Sequence, residues 1–219
     1  MVSVQLVPFI MAVVFHEFAH GWVANRWGDT TAKDRGRLTL NPIPHMDPIG
    51  TVAFPLINML TGIPILIGWA KPVPIDPRRF RKYRPALFWV AFAGPGMNFS
   101  LAILSAFAFC SIQLWVPHDF WLFEPLTTMC YVSVLLNYAL ALFNLIPLPP
   151  LDGSKMVEAF LPMSATRKYE SISRYSLLIL IVFFVLASTS HILKVIEYPI
   201  DFCTNLTLFL VSRLFNLPV

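Results

Sequence analysis

The sequence predicts an all-α polytopic membrane protein with about five to six transmembrane helices, a re-entrant segment and a short membrane-embedded β element after the first helix. Composition is the first reason: of 219 residues, 57% are hydrophobic and 13% are charged, and the mean hydropathy is +0.67. A soluble domain is about 45–50% apolar and about 25% charged. The second reason is that the charges lie in short connectors between long apolar runs. We expect one membrane-embedded domain over 1–219, with a catalytic core at about 2–153 and C-terminal helices at about 175–216.

Six apolar runs approach the length of about 20 residues that a spanning helix needs. They are 2–23, 49–69, 86–112, 126–146, 175–193 and 202–215. The second run differs from the others because it is interrupted by Pro55, Gly62, Pro64 and Gly68. Interrupted backbone is tolerated at membrane depth only where protein or water surrounds it. This run is therefore the candidate re-entrant segment.

The positions of the basic residues predict the topology through the positive-inside rule. Four basic residues lie in 24–48, before the interrupted run, and six lie in 70–85, after it. Both connectors are expected on the cytoplasmic face, which gives five spans, one re-entrant segment and an N-terminus outside. The alternative, six true spans, would place one of these basic connectors outside. The net charge of +4 resides in such connectors and suits anionic lipid. No nucleic-acid partner is expected.

The first apolar run contains three titratable residues, His16, Glu17 and His20, although no residue in 6–15 is charged. On a helix, residues four apart share one face, so both imidazoles point to the same side. Charged side chains in an apolar span cost about 2.5 kcal/mol or more each and need a reason. The spacing is that of the His-Glu-x-x-His pattern, in which two histidines bind zinc and the glutamate takes a proton from the metal-bound water. It predicts a metal site.

A catalytic zinc usually has three protein ligands, so a third ligand is needed. Four carboxylates are within reach of the cytoplasmic half of the membrane: Asp29, Asp47, Asp76 and Asp152. Asp152 is favoured because it follows a proline-rich break that would end a helix and precedes Gly153, which lets the backbone turn. The alternative is that Asp152 caps the helix that follows it.

These motifs together resemble the site-2 protease family of intramembrane zinc metalloproteases, in its compact prokaryotic branch without PDZ or CBS domains. The resemblance rests on the His-Glu-x-x-His motif in an apolar span and on Asn144, eight residues before the aspartate of the Leu-Asp-Gly motif 151–153. The segments 36–50, 68–74 and 93–98 also resemble that branch. The similarity extends from His16 to Gly153.

The resemblance implies a role for each motif residue. His16, His20 and Asp152 would bind one zinc ion per chain, Glu17 would be the general base, and Asn144 and Asn98 would bind the substrate backbone or the oxyanion. Both asparagines could instead form hydrogen bonds between helices.

The family also has a membrane-embedded β element after its first motif, and the alternating residues 37–41 are the candidate strand. An exposed strand edge would hold a substrate in the extended form that proteolysis requires. His45 and Asp47 lie beside this segment. A secondary metal or pH-sensitive site is one interpretation of His45, and a hydrogen bond that stabilises the loop is the favoured one.

The implied function is an intramembrane zinc endopeptidase that cleaves transmembrane segments of protein substrates near the cytoplasmic side of the cell membrane. Its partners would be the substrate and the lipid bilayer, and the sequence does not specify an oligomeric state. A metal-ion transporter is the first alternative, but it would need polar ligands at several depths along a path. A family member that binds helices without cutting them is the second alternative.

Overall fold

The computed structural model describes residues 2–53, 70–162 and 193–217, together with scattered residues between 164 and 182. All regular secondary structure in these parts is helical. The helices are α1 (Val2–Arg26), α2 (Thr31–Asp34), α3 (Tyr83–Trp115), α4 (Phe123–Asn144), α5 (Asp152–Glu158) and α6 (Leu193–Leu214). Single turns form at Ile43–His45, Pro48–Ala53 and Pro77–Arg79.

Three helices among the described residues are long and apolar enough to cross a membrane: Val4–Arg26, Tyr83–Trp115 and Phe123–Asn144. They correspond to three of the predicted apolar runs. Most of 49–69 and of 175–193 lies outside the described residues, so the re-entrant segment and the five-span topology stay predictions. The last predicted run, 202–215, belongs to α6, which begins earlier than expected.

Helix α3 is the centre of the bundle and packs against α1, α4, α5 and α6. Its 33 residues span about 50 Å at 1.5 Å per residue, more than the roughly 30 Å hydrocarbon core of a bilayer. Every fourth residue along one of its faces is buried: Ala86, Val90, Gly94, Asn98, Ala102, Ala106 and Cys110. Such small residues allow helix backbones to approach closely, which drives helix association where lipid replaces water.

An apolar cluster fills the bundle around the C-terminal half of α3. Ala102, Ala106 and Cys110 of α3 pack there against Val134 of α4 and Val211 of α6. Tyr138, also in the cluster, shares a hydrogen bond of 2.5 Å between its hydroxyl and that of Thr207. This cluster holds α6 against the α3–α4 pair.

The predicted β element at 37–41 is not a strand in the structure. The chain bends there, and local side chains take the backbone groups that a strand would offer to a neighbour. The Asn41 N–H donates to Thr39 Oγ1 at 3.1 Å, and Asn41 Oδ1 accepts from the Ile43 N–H at 3.1 Å. Short polar side chains compete with regular structure in this way. They lead the chain into the turn Ile43–His45.

Candidate metal centre

Two imidazoles and one carboxylate meet where α1, α3 and α5 come together. His16 and His20 lie one turn apart on α1, and Asp152 is the first residue of α5. The two Nε2 atoms are 3.0 Å apart, and each is 3.2 Å from Asp152 Oδ2. Both histidines are buried. The structure thus brings together one His/Asp cluster with the composition of a metal site.

The far nitrogen of each ring is fixed by an oxygen atom. His20 Nδ1 lies 2.6 Å from the Val90 carbonyl oxygen, and His16 Nδ1 lies 2.5 Å from Asn98 Oδ1. Because an oxygen of this kind only accepts, each Nδ1 carries the hydrogen. In a neutral imidazole the other nitrogen is then a lone pair. Both Nε2 lone pairs therefore face the centre of the cluster.

This donor set fits zinc. Ligand atoms about 2.0–2.2 Å from a tetrahedral zinc lie roughly 3.3 Å apart, a few tenths of an ångström more than the separations seen here. Asp152 Oδ2 is buried and has no hydrogen-bond partner among the described residues. A hydrogen on one Nε2 atom could bridge that nitrogen to the other two atoms, but it would leave those two acceptors facing each other without a partner. A divalent cation would bind all three atoms. Three protein ligands leave a fourth position for water, as in catalytic sites.

The electrostatics of Asp152 favour its ionised form. Burial by itself would raise the pKa of this carboxyl group, but positive charge on the neighbouring His20 and His16 rings outweighs burial and holds the pKa of Asp152 well below its usual range. When both rings are neutral, a cation held between the three side chains would act on the carboxylate in the same direction. The carboxylate is therefore in the form that coordinates a metal.

Two glycines allow the three ligands to approach. A Cβ atom on Gly94 of α3 would lie 2.6 Å from His16 Nε2, so α3 can pass the rings only with glycine there. A Cβ atom on Gly153 would lie 2.5 Å from the Ile146 carbonyl oxygen. From the sequence, Gly153 is expected to let the backbone turn after Asp152. The structure instead places it inside α5, where it permits the chain leaving α4 to pack beside Asp152.

Glu17 is held by the segment 70–76, which lies between the two connectors' turns and has no regular secondary structure. Its Oε2 accepts the Val73 N–H at 2.7 Å, and the side chain is partly buried. The segment is itself fixed to the preceding connector, since the Lys71 N–H donates to the His45 carbonyl at 2.9 Å and Arg37 donates to the Lys71 carbonyl at 2.7 Å. Both basic connectors thus position the carboxylate beside the histidine pair.

His45 has the contacts of a loop residue. It is almost fully buried, and its Nε2 lies 2.9 Å from the Thr39 carbonyl oxygen. Among the described residues it does not belong to the His/Asp cluster. Its neighbour Asp47 accepts the backbone N–H groups of Ile49 and Gly50. The Nδ1 atom of His45 is buried and has no hydrogen-bond partner among the described residues. Both interpretations of His45, a hydrogen bond that stabilises the loop and a secondary metal or pH-sensitive site, therefore stay predictions.

Asn98 contacts the protein rather than an open space. It is fully buried, its oxygen accepts from His16, and its nitrogen donates to the Ala12 carbonyl at 3.3 Å and to Asn137 Oδ1 at 2.8 Å. This amide therefore has no free group for a substrate, unlike the role that the resemblance implied. Sequence reasoning missed Asn137. The available signal was a second asparagine inside the run 126–146, which a packed apolar helix would not need.

Asn144 lies at the C-terminal end of α4 and is partly buried. Its nitrogen donates to the Leu140 carbonyl at 3.0 Å. Its oxygen makes no hydrogen bond to the described part of the chain. Among the described residues it makes no hydrogen bond to the three ligand atoms.

Comparison with known proteins identifies the family. Residues 112–188 match peptidase family M50. The chain is 36% identical over 189 residues to the Bacillus subtilis (strain 168) protein named "Putative zinc metalloprotease YwhC", covering 86% of this chain and 83% of that protein. The chain belongs to the M50, or site-2 protease, family. Family membership confirms the resemblance noted in the sequence, and it indicates a zinc metalloprotease with zinc as cofactor.

More distant relatives carry the name "Putative zinc metalloprotease Rip2". The protein of Mycolicibacterium smegmatis is 27% identical over 181 residues, and that of Mycobacterium tuberculosis H37Rv is 28% identical over 181 residues. These matches cover 81% of this chain and 64% of each relative. No solved structure matches the chain significantly. The apolar helices and the family together indicate a multi-pass membrane protein.

Proposed function

We propose that this protein is an intramembrane zinc endopeptidase that cleaves transmembrane segments of protein substrates near the cytoplasmic side. The proposal rests on three atoms: His16 Nε2, His20 Nε2 and Asp152 Oδ2. They lie 3.0–3.2 Å from one another, close to the distance between two ligand atoms of the same zinc ion. Two of these atoms belong to a helix that is apolar enough to cross a membrane. A metal site in that position acts inside the bilayer.

The roles follow from the chemistry of each side chain. His16, His20 and Asp152 would hold the zinc ion, which supplies Lewis acidity and lowers the pKa of a bound water. Glu17 takes a proton from the attacking water and returns it to the leaving amine. Because the Val73 N–H occupies Oε2 of Glu17, we assign the proton transfer to Oε1.

Asn144 is the residue that we assign to the substrate. It lies eight residues before Asp152, it is partly buried, and its oxygen is not used by the described residues. The oxygen can accept a substrate N–H, and the second hydrogen of its amide nitrogen can reach a carbonyl or an oxyanion. Asn98 is better assigned to the orientation of His16, because its amide is fully occupied inside the protein.

Charge and aromatic residues favour a cytoplasmic metal centre. His20 and His16 lie about 9 and 15 Å before Arg26 along α1, at 1.5 Å per residue, so they are in the half of the span that leads to the basic connectors. The opposite ends of α3 and α4 join through a segment without lysine or arginine, where Trp115 and Trp121 are 73% and 77% exposed. Tryptophans at such a level are typical of a membrane interface.

The distribution of ligands disfavours the transporter alternative. Among the described residues, groups of three or more His, Cys, Asp or Glu side chains that could hold a metal form one cluster. An ion path would need further sites at other depths. A single site beside a glutamate fits hydrolysis.

The test is a reconstituted cleavage assay. Purified wild-type protein is combined with a model transmembrane substrate in proteoliposomes, bound zinc is measured, and Glu17→Gln is compared with Asp152→Ala. Glu17→Gln should keep zinc and lose about 10²–10⁴-fold in cleavage rate, because it lacks only the base. Asp152→Ala should lose zinc and cleavage together. Cleavage at the wild-type rate by Glu17→Gln would refute the mechanism.

A further inference from the structure

A chain of buried amides leads away from the metal centre into α4. Asn98 and Asn137 are 0% and 1% exposed, and neither belongs to the metal cluster. Asn98 Nδ2 donates to Asn137 Oδ1 at 2.8 Å, and Asn137 Nδ2 donates to the Ser133 carbonyl at 2.8 Å. Buried amides in an apolar bundle are costly unless their polar groups are hydrogen-bonded, and these two satisfy each other and nearby carbonyls.

Backbone carbonyls fix the orientation of both amides. The Ser133 carbonyl can only accept, so the nitrogen of Asn137 must face it and the oxygen of Asn137 must face Asn98. Asn98 then meets two acceptors, Asn137 Oδ1 and the Ala12 carbonyl, so its nitrogen faces them. Its oxygen is left to face His16.

This orientation selects the tautomer of His16. With an oxygen opposite Nδ1, the hydrogen lies on Nδ1 and the Nε2 lone pair points at Asp152 and His20. If the Asn98 amide were reversed, its NH₂ group would face Nδ1 and the hydrogen would move to Nε2. A protonated Nε2 cannot bind a metal.

We propose that Asn137 is a positioning residue for metal binding: through Asn98 it sets the His16 tautomer that presents Nε2 to zinc. The inference rests on the proposed zinc site. Mutation of a residue that hydrogen-bonds a metal-binding histidine typically lowers metal affinity by about 10–100-fold. Asn137 acts one residue further out. Its oxygen is the nearer of the two acceptors that orient the Asn98 amide, at 2.8 Å against 3.3 Å for the Ala12 carbonyl.

The test measures zinc affinity of the detergent-purified full chain by competition with a chelating indicator. Asn137→Leu, which has a similar size and no polar group, should weaken zinc binding by about 10-fold or more. It should also alter the visible absorption spectrum of the Co²⁺-substituted protein, which reports ligand geometry. Equal zinc affinity and an unchanged Co²⁺ spectrum in Asn137→Leu would overturn the inference.

Two control variants separate positioning from general damage to α4. Thr127→Val removes a buried hydroxyl that donates to the Phe123 carbonyl at 2.9 Å, away from the chain of amides. Tyr138→Phe removes the hydroxyl bonded to Thr207 Oγ1, on the residue that follows Asn137 but outside the chain of amides. Both should bind zinc as wild type does. A loss in both as large as in Asn137→Leu would show a structural effect and overturn the inference.

A double variant tests the orientation argument itself. In Asn98→Asp both side-chain oxygens are acceptors, so His16 meets an acceptor whichever way the group points. Replacing Asn137 by Leu in that background should change zinc affinity less than threefold. An undiminished loss would show that Asn137 acts by another route and overturn the inference.

A further variant distinguishes failure of this inference from failure of the proposed function. His16→Ala should abolish tight zinc binding. If wild type binds no zinc, or if His16→Ala binds it equally well, the zinc site itself is wrong. If wild type binds one zinc and only Asn137→Leu behaves like wild type, the site stands and the inference fails.

Discussion

The two halves of the buried face of α3 contain the same kind of residue for different reasons. In the half nearer the N-terminus of α3, Gly94 and Asn98 lie against the rings of α1. In the other half, Ala102 and Ala106 lie in the apolar cluster with α4 and α6. The spacing of four residues is unbroken between them. At the metal centre, Gly94 leaves room for the histidine rings of α1. In the apolar cluster, Ala102 and Ala106 leave room for the neighbouring helices.

The largest expected effect is at Gly94. Gly94→Ala should abolish stoichiometric zinc binding and reduce cleavage at least about 100-fold, because the new Cβ would lie 2.6 Å from His16 Nε2. Metal analysis of the purified protein measures it. The matched control is Gly96→Ala, whose Cβ would have the Phe92 ring as its nearest neighbour, at 3.2 Å. If Gly94→Ala kept its full zinc content, a small residue would not be required at the metal centre, and the two halves of the buried α3 face would not differ in this respect.

Gly153→Ala should lower zinc affinity by about 10–100-fold. Its Cβ would lie 2.5 Å from the Ile146 carbonyl, so α5 must shift and carry Asp152 away from the histidines. Chelator competition measures the affinity. Ser154→Ala is the neighbouring control, since it loses only a hydroxyl that donates to the Leu151 carbonyl. If Ser154→Ala lost equal affinity, general disturbance of α5 would explain both results.

In the apolar half, Ala106→Leu should reduce the free energy of unfolding by about 1–3 kcal/mol and leave zinc affinity unchanged. Ala106 is fully buried in the cluster, so the added volume must displace α4 or α6. Thermal unfolding in detergent and chelator competition measure the two quantities. Leu104→Ala, at a position that is 62% exposed, should change both little. A loss of zinc in Ala106→Leu would show that the halves are coupled.

The smallest effect is expected for Tyr138→Phe. It removes the hydroxyl bonded to Thr207, and such bonds between helices in membranes contribute about 0.6 kcal/mol on average. Thermal unfolding should show a small decrease and metal analysis none. A decrease above about 2 kcal/mol would mean that this contact, rather than the small residues, holds α6 in place.

The four candidate carboxylates show where prediction from sequence stops. Asp29 binds the backbone N–H groups of Thr31 and Asp76, and Asp47 caps the turn Pro48–Ala53. Asp76 pairs with Arg78, which lowers the pKa of Asp76. The sequence favoured Asp152, and the structure shows that the other three are engaged mostly by residues two or three positions away. The approach of Asp152 to the two histidines depends on long-range packing, which the sequence pattern does not show. The prediction of a strand at 37–41 was wrong. The alternation of residues there does not show that Thr39 and Asn41 hydrogen-bond to the local backbone instead.

The sequence by itself determined the membrane class, the ends of three spanning helices to within a few residues, and the shared face of His16 and His20. These are local properties, since hydropathy and a period of 3.6 residues act within one segment. Only the tertiary structure decided that Gly94 passes beside the rings, that Asn98 orients His16 from 82 residues away, and that Asn137 stands behind it. Those contacts depend on how α1, α3 and α4 pack together, and that packing is set by the whole bundle rather than by any one helix.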